Sequence, residues 1–272
     1  MKPNVDRPTE VSPTPTVPQQ RTTTAPDTVA TDRALLRIGA ISGFAGIAVQ
    51  VAMNFLHPAH ADPNNSREAF EEYSHSTTWT DVHIGQFLGT FLIALSLIAL
   101  ARVLSRQRGL PGALAIVGTV TAIMLATVFA VQMAVDGVAL RSAIETWASA
   151  TGAEKTSAFQ VAEGMRALEK ALSAFFHLNN GFTLLALGLS VALGHLYARW
   201  LGWVAVLAGL AFLAGGVITG HSGFSADSGV FLTPALLLMV VFIAGTGISM
   251  WRRASPRPSR RSTPVAAHSR RP

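Results

Sequence analysis

Apolar residues dominate six stretches of this chain, roughly 35–56, 82–104, 111–135, 173–197, 200–219 and 230–251. Each is long enough to cross bilayer hydrocarbon as a helix, which takes about 20 residues. The pattern predicts an all-α, six-span transmembrane helical bundle with its membrane domain at 34–251. The 57–81 connection opens on His57-Pro58, and proline pushes its predecessor out of helical geometry, so span one ends there. Ser66 is placed to cap a short helix carrying Phe70 and Tyr73, and Thr80 or Asp81 to cap span two. The 136–172 connection is long but patterned. Val138, Leu140, Ile144 and Trp147 form a ragged apolar face, and Thr151-Gly152 stops it. A second helix from about 154 carries Phe159, Met165, Leu168 and Leu172 among Glu163, Arg166, Glu169 and Lys170 and runs toward span four. Both read as amphipathic helices at the interface or packed over the bundle. In the last connection Thr233-Pro234 fits the first turn of span six.

Only 13% of the 272 residues are charged, against roughly 25% in soluble domains, so composition alone points to a membrane class. The chain has no cysteine, which excludes disulfides, thiolate metal ligands and cysteine nucleophiles. Residues 1–33, with prolines at 3, 8, 13, 15, 18 and 26, read as a disordered tail, and 252–272 as a basic Pro/Ser-rich one. The first tail lacks the apolar core of a cleavable signal.

The net charge of +6 raises nucleic acid as a partner, but Arg252, Arg253, Arg257, Arg260, Arg261, Arg270 and Arg271 all follow the last span. Juxtamembrane arginines serve as topology signals and contacts for anionic lipid. The expected partners are therefore the bilayer and anionic lipids at the C-terminal tail, with no nucleic acid. Most of the 21 Lys and Arg residues share a side with the termini, which predicts a multi-pass protein of the cell membrane with both termini cytoplasmic. Trp79 and Trp147 then mark the outer interface, and Trp200, Trp203 and Trp251 the inner one. The pairs Gly39/Gly43, Gly85/Gly89, Gly181/Gly188 and Gly209/Gly216 predict close helix packing within the bundle rather than a dimer seam.

In this orientation the outer ends of four spans carry polar residues at helical spacing: Gln50, Asn54 and His57; His83, Gln86 and Thr90; Gln132 and Asp136; His177 and Asn180. Polar groups in a span are expensive and usually face a protein interior or a wet cavity, so these residues predict an outward polar pocket. The positive N-terminal ends of their helices favour neutral His83 and His177. Asp136 sits at a negative C-terminal end and calls for His57 as imidazolium, Arg141 or a metal ion. His57, His83, Asp136 and His177 would suit zinc or another divalent ion, and with a bound water such a site could hydrolyse an ester or amide. The alternative for each residue is structural: helix cross-linking by hydrogen bonds, or interfacial rings with wet tips. The leading reading is a pocket for a small ligand, lipid headgroup or ion. A metal-dependent hydrolase and a transporter or channel subunit are alternatives, and against transport the inner halves of the spans are nearly unbroken apolar sequence with no inverted repeat.

The runs Trp79-Thr80-Asp81-Val82-His83-Ile84-Gly85-Gln86-Phe87-Leu88-Gly89, Gly181-Phe182-Thr183-Leu184-Leu185-Ala186-Leu187-Gly188 and Arg199-Trp200-Leu201-Gly202-Trp203 resemble small bacterial multi-pass integral membrane proteins of a domain-of-unknown-function family. That resemblance covers about 34–251 and implies a bacterial inner-membrane location but no activity. A fainter likeness is to membrane metal hydrolases of the ceramidase and adiponectin-receptor type. Their interfacial zinc is held by histidines, but they have seven spans and paired histidines within one helix.

Overall fold

Every apolar stretch is helical in the computed structural model, which describes residues 25–58 and 60–255, except that the fourth leaves its helix after Leu193 and 194–197 are non-helical. The order is α1 (Ala25–Leu56), α2 (Ser66–His75), α3 (Trp79–Leu104), α4 (Leu110–Ala134), a π-helical segment (Val135–Leu140), α5 (Arg141–Ser149), α6 (Gly152–Leu193), α7 (Arg199–Ser222) and α8 (Ala226–Ala254). Six helices are long and apolar enough to cross a membrane: α1, α3, α4 continued through α5, α6, α7 and α8. The protein is an all-α, six-span bundle, and six such helices mark a multi-pass membrane protein.

Neighbouring spans close a ring in the order α1, α3, α4, α6, α7, α8 and back to α1. Its core includes Leu97, Leu100, Leu104, Leu184, Leu187, Phe212 and Phe242, all buried. Small residues let the backbones meet. A Cβ on Gly46 would lie 2.8 Å from the Gly89 carbonyl, one on Gly188 2.8 Å from the Gly202 carbonyl, and one on Gly181 2.9 Å from the Gly209 carbonyl. The glycine pairs thus serve packing inside the ring.

One end of the ring carries a folded cap with its own core. Phe70 and Tyr73 of α2, Trp79 of α3, Leu140, Ile144 and Trp147 of the α4 extension, and Ala162 of α6 are buried together, with Phe159 and Met165 against them. Trp79 and Trp147 are only 2% and 4% exposed, so they are cap core rather than lipid-facing anchors. Trp200, Trp203 and Trp251 are exposed, as anchors at the opposite end would be. The amphipathic helices of the long connection are packed pieces. Their apolar stripes cover one another and the ring end, and α6 runs unbroken from cap to bundle.

Several boundaries differ from the sequence expectation. Helix α1 begins at Ala25, so 25–33 is helical rather than part of a tail, and Asp32 there pairs with Arg106. Residues 1–24 and 256–272 of the expected tails lie outside the described residues. The cap of α2 is Asn65, whose side chain accepts from the Glu68 N–H, because Asp62 and Asn64 turn the chain one residue earlier. Helix α3 starts at Trp79 after Thr78. Helix α8 starts at Ala226 behind the Ser225 cap, which leaves Pro234 inside the helix. Gly152, at φ +58, makes the break between α5 and α6 that a side chain would resist.

The cap is stitched by polar contacts. The Asn64 side-chain amide donates to the Phe224 carbonyl at 3.0 Å, joining the first connection to the third. Glu72 accepts from the backbone N–H groups of His60 and Ala61 at 3.1 and 2.9 Å. Burial alone would raise the Glu72 carboxyl, but those two donors and the His60 ring hold it below the ordinary value.

Candidate functional site at the capped end

The site is built where the first turn of α3 meets the π-helical turn. A π turn is one residue wider than an α turn, and such turns concentrate at functional sites. Two side chains of α3 bond to its carbonyls. Trp79 Nε1 donates to the Asp136 carbonyl and Thr80 Oγ1 to the Gly137 carbonyl, each at 3.0 Å. Gly137 allows the approach, since a Cβ there would fall 2.5 Å from His83 Cβ.

These contacts bring His83 and Asp136 together. His83 Nδ1 lies 2.6 Å from the Trp79 carbonyl, and Nε2 lies 3.0 Å from Asp136 Oδ2. A carbonyl only accepts, so Nδ1 carries hydrogen. Nε2 and Oδ2 then need a second proton between them: the pair is imidazolium with carboxylate, or imidazole with carboxylic acid. Either way His83 is not the free neutral ligand that its place near a helix N-terminus suggested. His83 is 1% exposed and Asp136 6% exposed, so the pair is shielded from water and salt.

Aromatic rings flank it. Tyr73, Trp79 and His83 follow one another with ring centroids 4.2 and 4.5 Å apart. His57 lies 5.2 Å from both Trp79 and His83. Its Nδ1 is 2.7 Å from the Pro58 carbonyl. Burial, and after it the neighbouring His83, hold His57 below the ordinary imidazole value. His57 is thus not disposed to be the imidazolium that offsets Asp136, and Arg141 turns instead to Glu145 and the Tyr73 carbonyl. The partner of Asp136 is His83.

The other candidate residues divide. Gln132, one turn before Asp136, is buried beside it. Gln132 Oε1 and Asp136 Oδ1 both lack a hydrogen-bond partner among the described residues. Gln50 donates to Thr90 Oγ1 at 2.6 Å and cross-links α1 to α3. Asn54 is exposed and Gln86 half-buried. His177 lies on the α7 side of α6, its ring stacked 6.0 Å from Phe212 and its Nε2 3.4 Å from Ser173 Oγ. Asn180 donates to the Phe176 carbonyl of its own helix at 3.2 Å. The four-residue zinc set therefore does not assemble. Among the described residues no group of three or more His, Asp or Glu side chains is placed to hold a metal ion. The physical reason is helix rotation: each span end carries its polar residue, but α6 presents His177 to Phe212 rather than to α3.

The sequence reading passed over a buried ion pair. Arg166 and Glu169, each 3% exposed, pair within α6. Arg166 also donates to the Pro63 carbonyl at 3.0 Å and Tyr73 Oη at 3.3 Å, with its guanidinium over the Tyr73 and Phe224 rings. It pins α2, α6 and the α7–α8 turn to one point. Their spacing held a signal: Ala162, Arg166, Glu169 and Ser173 fall on one helical stripe, and all four are buried. Burial raises the Tyr73 phenol above its ordinary value, with the Arg166 charge acting in the opposite direction.

Beside the His83–Asp136 pair a cleft of about 220 Å³ opens between α3 and the α4 extension. Ile84, Phe87, Ala130, Met133, Ala134 and Val138 form its walls, and Thr80 and His83 its polar end. The cleft is a mostly apolar slot closing on a few hydrogen-bonding groups, the usual make-up of a small-molecule site. Against this fold and geometry, comparison of the chain with family models, with curated proteins and with solved structures finds no match in any of the three.

Proposed function

We propose that the capped end of the bundle binds the headgroup of a membrane lipid that carries a hydrogen-bond donor, an ammonium or a hydroxyl, with its chain in the α3–α4 cleft. The observation that carries this reading is the pair of buried unpartnered oxygens, Gln132 Oε1 and Asp136 Oδ1, on the residues that immediately precede Met133 and Gly137 of the cleft wall. A buried acceptor left unpaired costs roughly 1–3 kcal/mol, and a donor-bearing ligand recovers that energy on binding. The site lies four residues into α3, about 6 Å along the helix at 1.5 Å per residue, at the capped end of the span, where a headgroup would be met. With the positive-inside orientation, both termini are cytoplasmic and the cap faces outward, so the lipid comes from the outer leaflet of a bacterial cell membrane. The metal-hydrolase and transporter readings have no comparable observation behind them.

The test compares two short-chain phospholipids with identical chains, one with an ethanolamine head, which donates, and one with a choline head, which does not. Equilibrium binding to the purified protein is expected to favour ethanolamine by about tenfold, the size of one charge-assisted hydrogen bond. Asp136→Leu and Gln132→Leu are expected to abolish the preference. Equal binding of both heads by the unmodified protein would overturn the reading.

A further inference from the structure

A second cavity lies away from the cap, along the seam of α4 and α6. It measures about 580 Å³ and is lined by Thr121, Met124, Val128, Leu172, Phe175, Leu178, Asn179 and Phe182, a volume within the usual range for ligand sites. Its walls are apolar except for two groups. Thr121 is satisfied within α4, donating to the Val117 and Gly118 carbonyls. Asn179 is 9% exposed. Its backbone carbonyl accepts from Thr183 Oγ1 at 2.7 Å, yet its side-chain amide has no hydrogen-bond partner among the described residues. The residue lies 14 positions before the end of α6 at Leu193, a distance of about 21 Å at 1.5 Å per residue. With Leu193 taken at one face of hydrocarbon about 30 Å thick, Asn179 falls within the acyl-chain region. Hydrocarbon offers an amide nothing, so an unpaired one at this depth is costly.

We propose that this seam is a binding site for a lipid-dissolved hydrophobe bearing a ring carbonyl, of the quinone class, with Asn179 Nδ2 donating to the carbonyl. Phe175 and Phe182, at −4 and +3 from Asn179, flank the amide on one stripe of α6 and are 62% and 52% exposed. Two phenyl rings about one turn either side of a donor suit a flat ring between them, and Met124 and Val128 continue the groove for an alkyl tail. An ordinary acyl chain fills the groove but leaves the amide unpaired. A second copy of the chain fits worse, since a two-fold contact sets the same concave patch against itself and leaves a void.

The protein in lipid nanodiscs is titrated with decylubiquinone and, separately, with dodecylbenzene, a ring and tail without the carbonyl. Asn179→Leu is run in parallel, with the oligomeric mass of both proteins measured. Binding of the quinone alone, weakened roughly three- to tenfold by Asn179→Leu, is the expected result, in line with loss of one neutral hydrogen bond. The variant is expected to fold at least as stably as the parent, because it deletes an unpaired amide, so weaker binding is not explained by unfolding. Quinone and dodecylbenzene binding alike, or quinone affinity untouched by the substitution, overturns the proposal. So does a dimer that Asn179→Leu dissociates, which assigns the seam to a second copy. These ligands and residues are independent of the capped-end site, so failure of one assignment leaves the other standing.

Discussion

Removing the His83 ring tests the capped end most directly. His83→Ala deletes the 3.0 Å contact to Asp136 Oδ2 and the 2.6 Å contact to the Trp79 carbonyl. It also empties the space of a ring 4.5 Å from Trp79. Asp136 already has one oxygen without a partner among the described residues, and the variant strands the other. Breaking one side of a buried charged pair costs roughly 3–5 kcal/mol, a fall in melting temperature of roughly 6–20 °C for a chain of this size. Asp136→Ala strands His83 Nε2 and is expected to cost a similar amount. The double variant removes both needs at once, so its cost is expected to fall short of the sum of the singles by roughly 1–3 kcal/mol. Unfolding in mixed micelles, followed by the fluorescence of buried Trp79 and Trp147, gives all four corners of the cycle. Additivity within about 0.5 kcal/mol, or a cost below about 1 kcal/mol for His83→Ala, would refute the claim that the two side chains share a proton in a water-poor contact.

Other expectations follow from single features. Gly188→Ala places a Cβ 2.8 Å from the Gly202 carbonyl and is expected to lower stability by about 1–3 kcal/mol. Gly164→Ala meets nothing within 4 Å and is expected to raise it by roughly 0.5–1 kcal/mol, so thermal melts of the two move in opposite directions. His57 has its folded value lowered, so its contribution is fully present above the unfolded value of about 6.5 and is lost as pH falls below it. His57→Gln is expected to flatten the stability–pH curve on the acid side of that value, and an unchanged curve would count against a buried neutral imidazole. Because the chain has no cysteine, single cysteines at Thr151 and Ser255 report topology cleanly. A membrane-impermeant maleimide is expected to label the first in intact cells and the second only after permeabilisation.

The spans were legible because apolar length alone decides them. The close-packed glycines were legible for a related reason, since small residues inside apolar helices have few uses besides packing. The cap was half legible. The stripe of Val138, Leu140, Ile144 and Trp147 announces an amphipathic helix, but the same periodicity serves a helix lying in lipid and one packed on a neighbour. Only the burial of Trp79 and Trp147 together decides for packing. At the site, residue type pointed to His83 and Asp136, but their pairing depends on helix rotation, which one chain's periodicity does not carry across connections. That is also why His177 was grouped with them and instead meets Phe212. Arg166 and Glu169 resemble any solvated i, i+3 pair in sequence. What sets them apart is the stripe that they share with Ala162 and Ser173.

The π-helical stretch acts as a phase adjuster between two compartments of the molecule. One residue of helix corresponds to about 100° of turn, so the widened loop of backbone at Val135–Leu140 sets the azimuth of everything downstream. Deleting Gly137 would let the stretch close into ordinary α-helix and swing Ile144 and Trp147 by about 100°, away from Phe70 and Phe159 and toward solvent. The membrane spans would keep their places while the cap lost its keel. Shape at the far end of this molecule thus depends on a residue count as well as on the side chains that hold it.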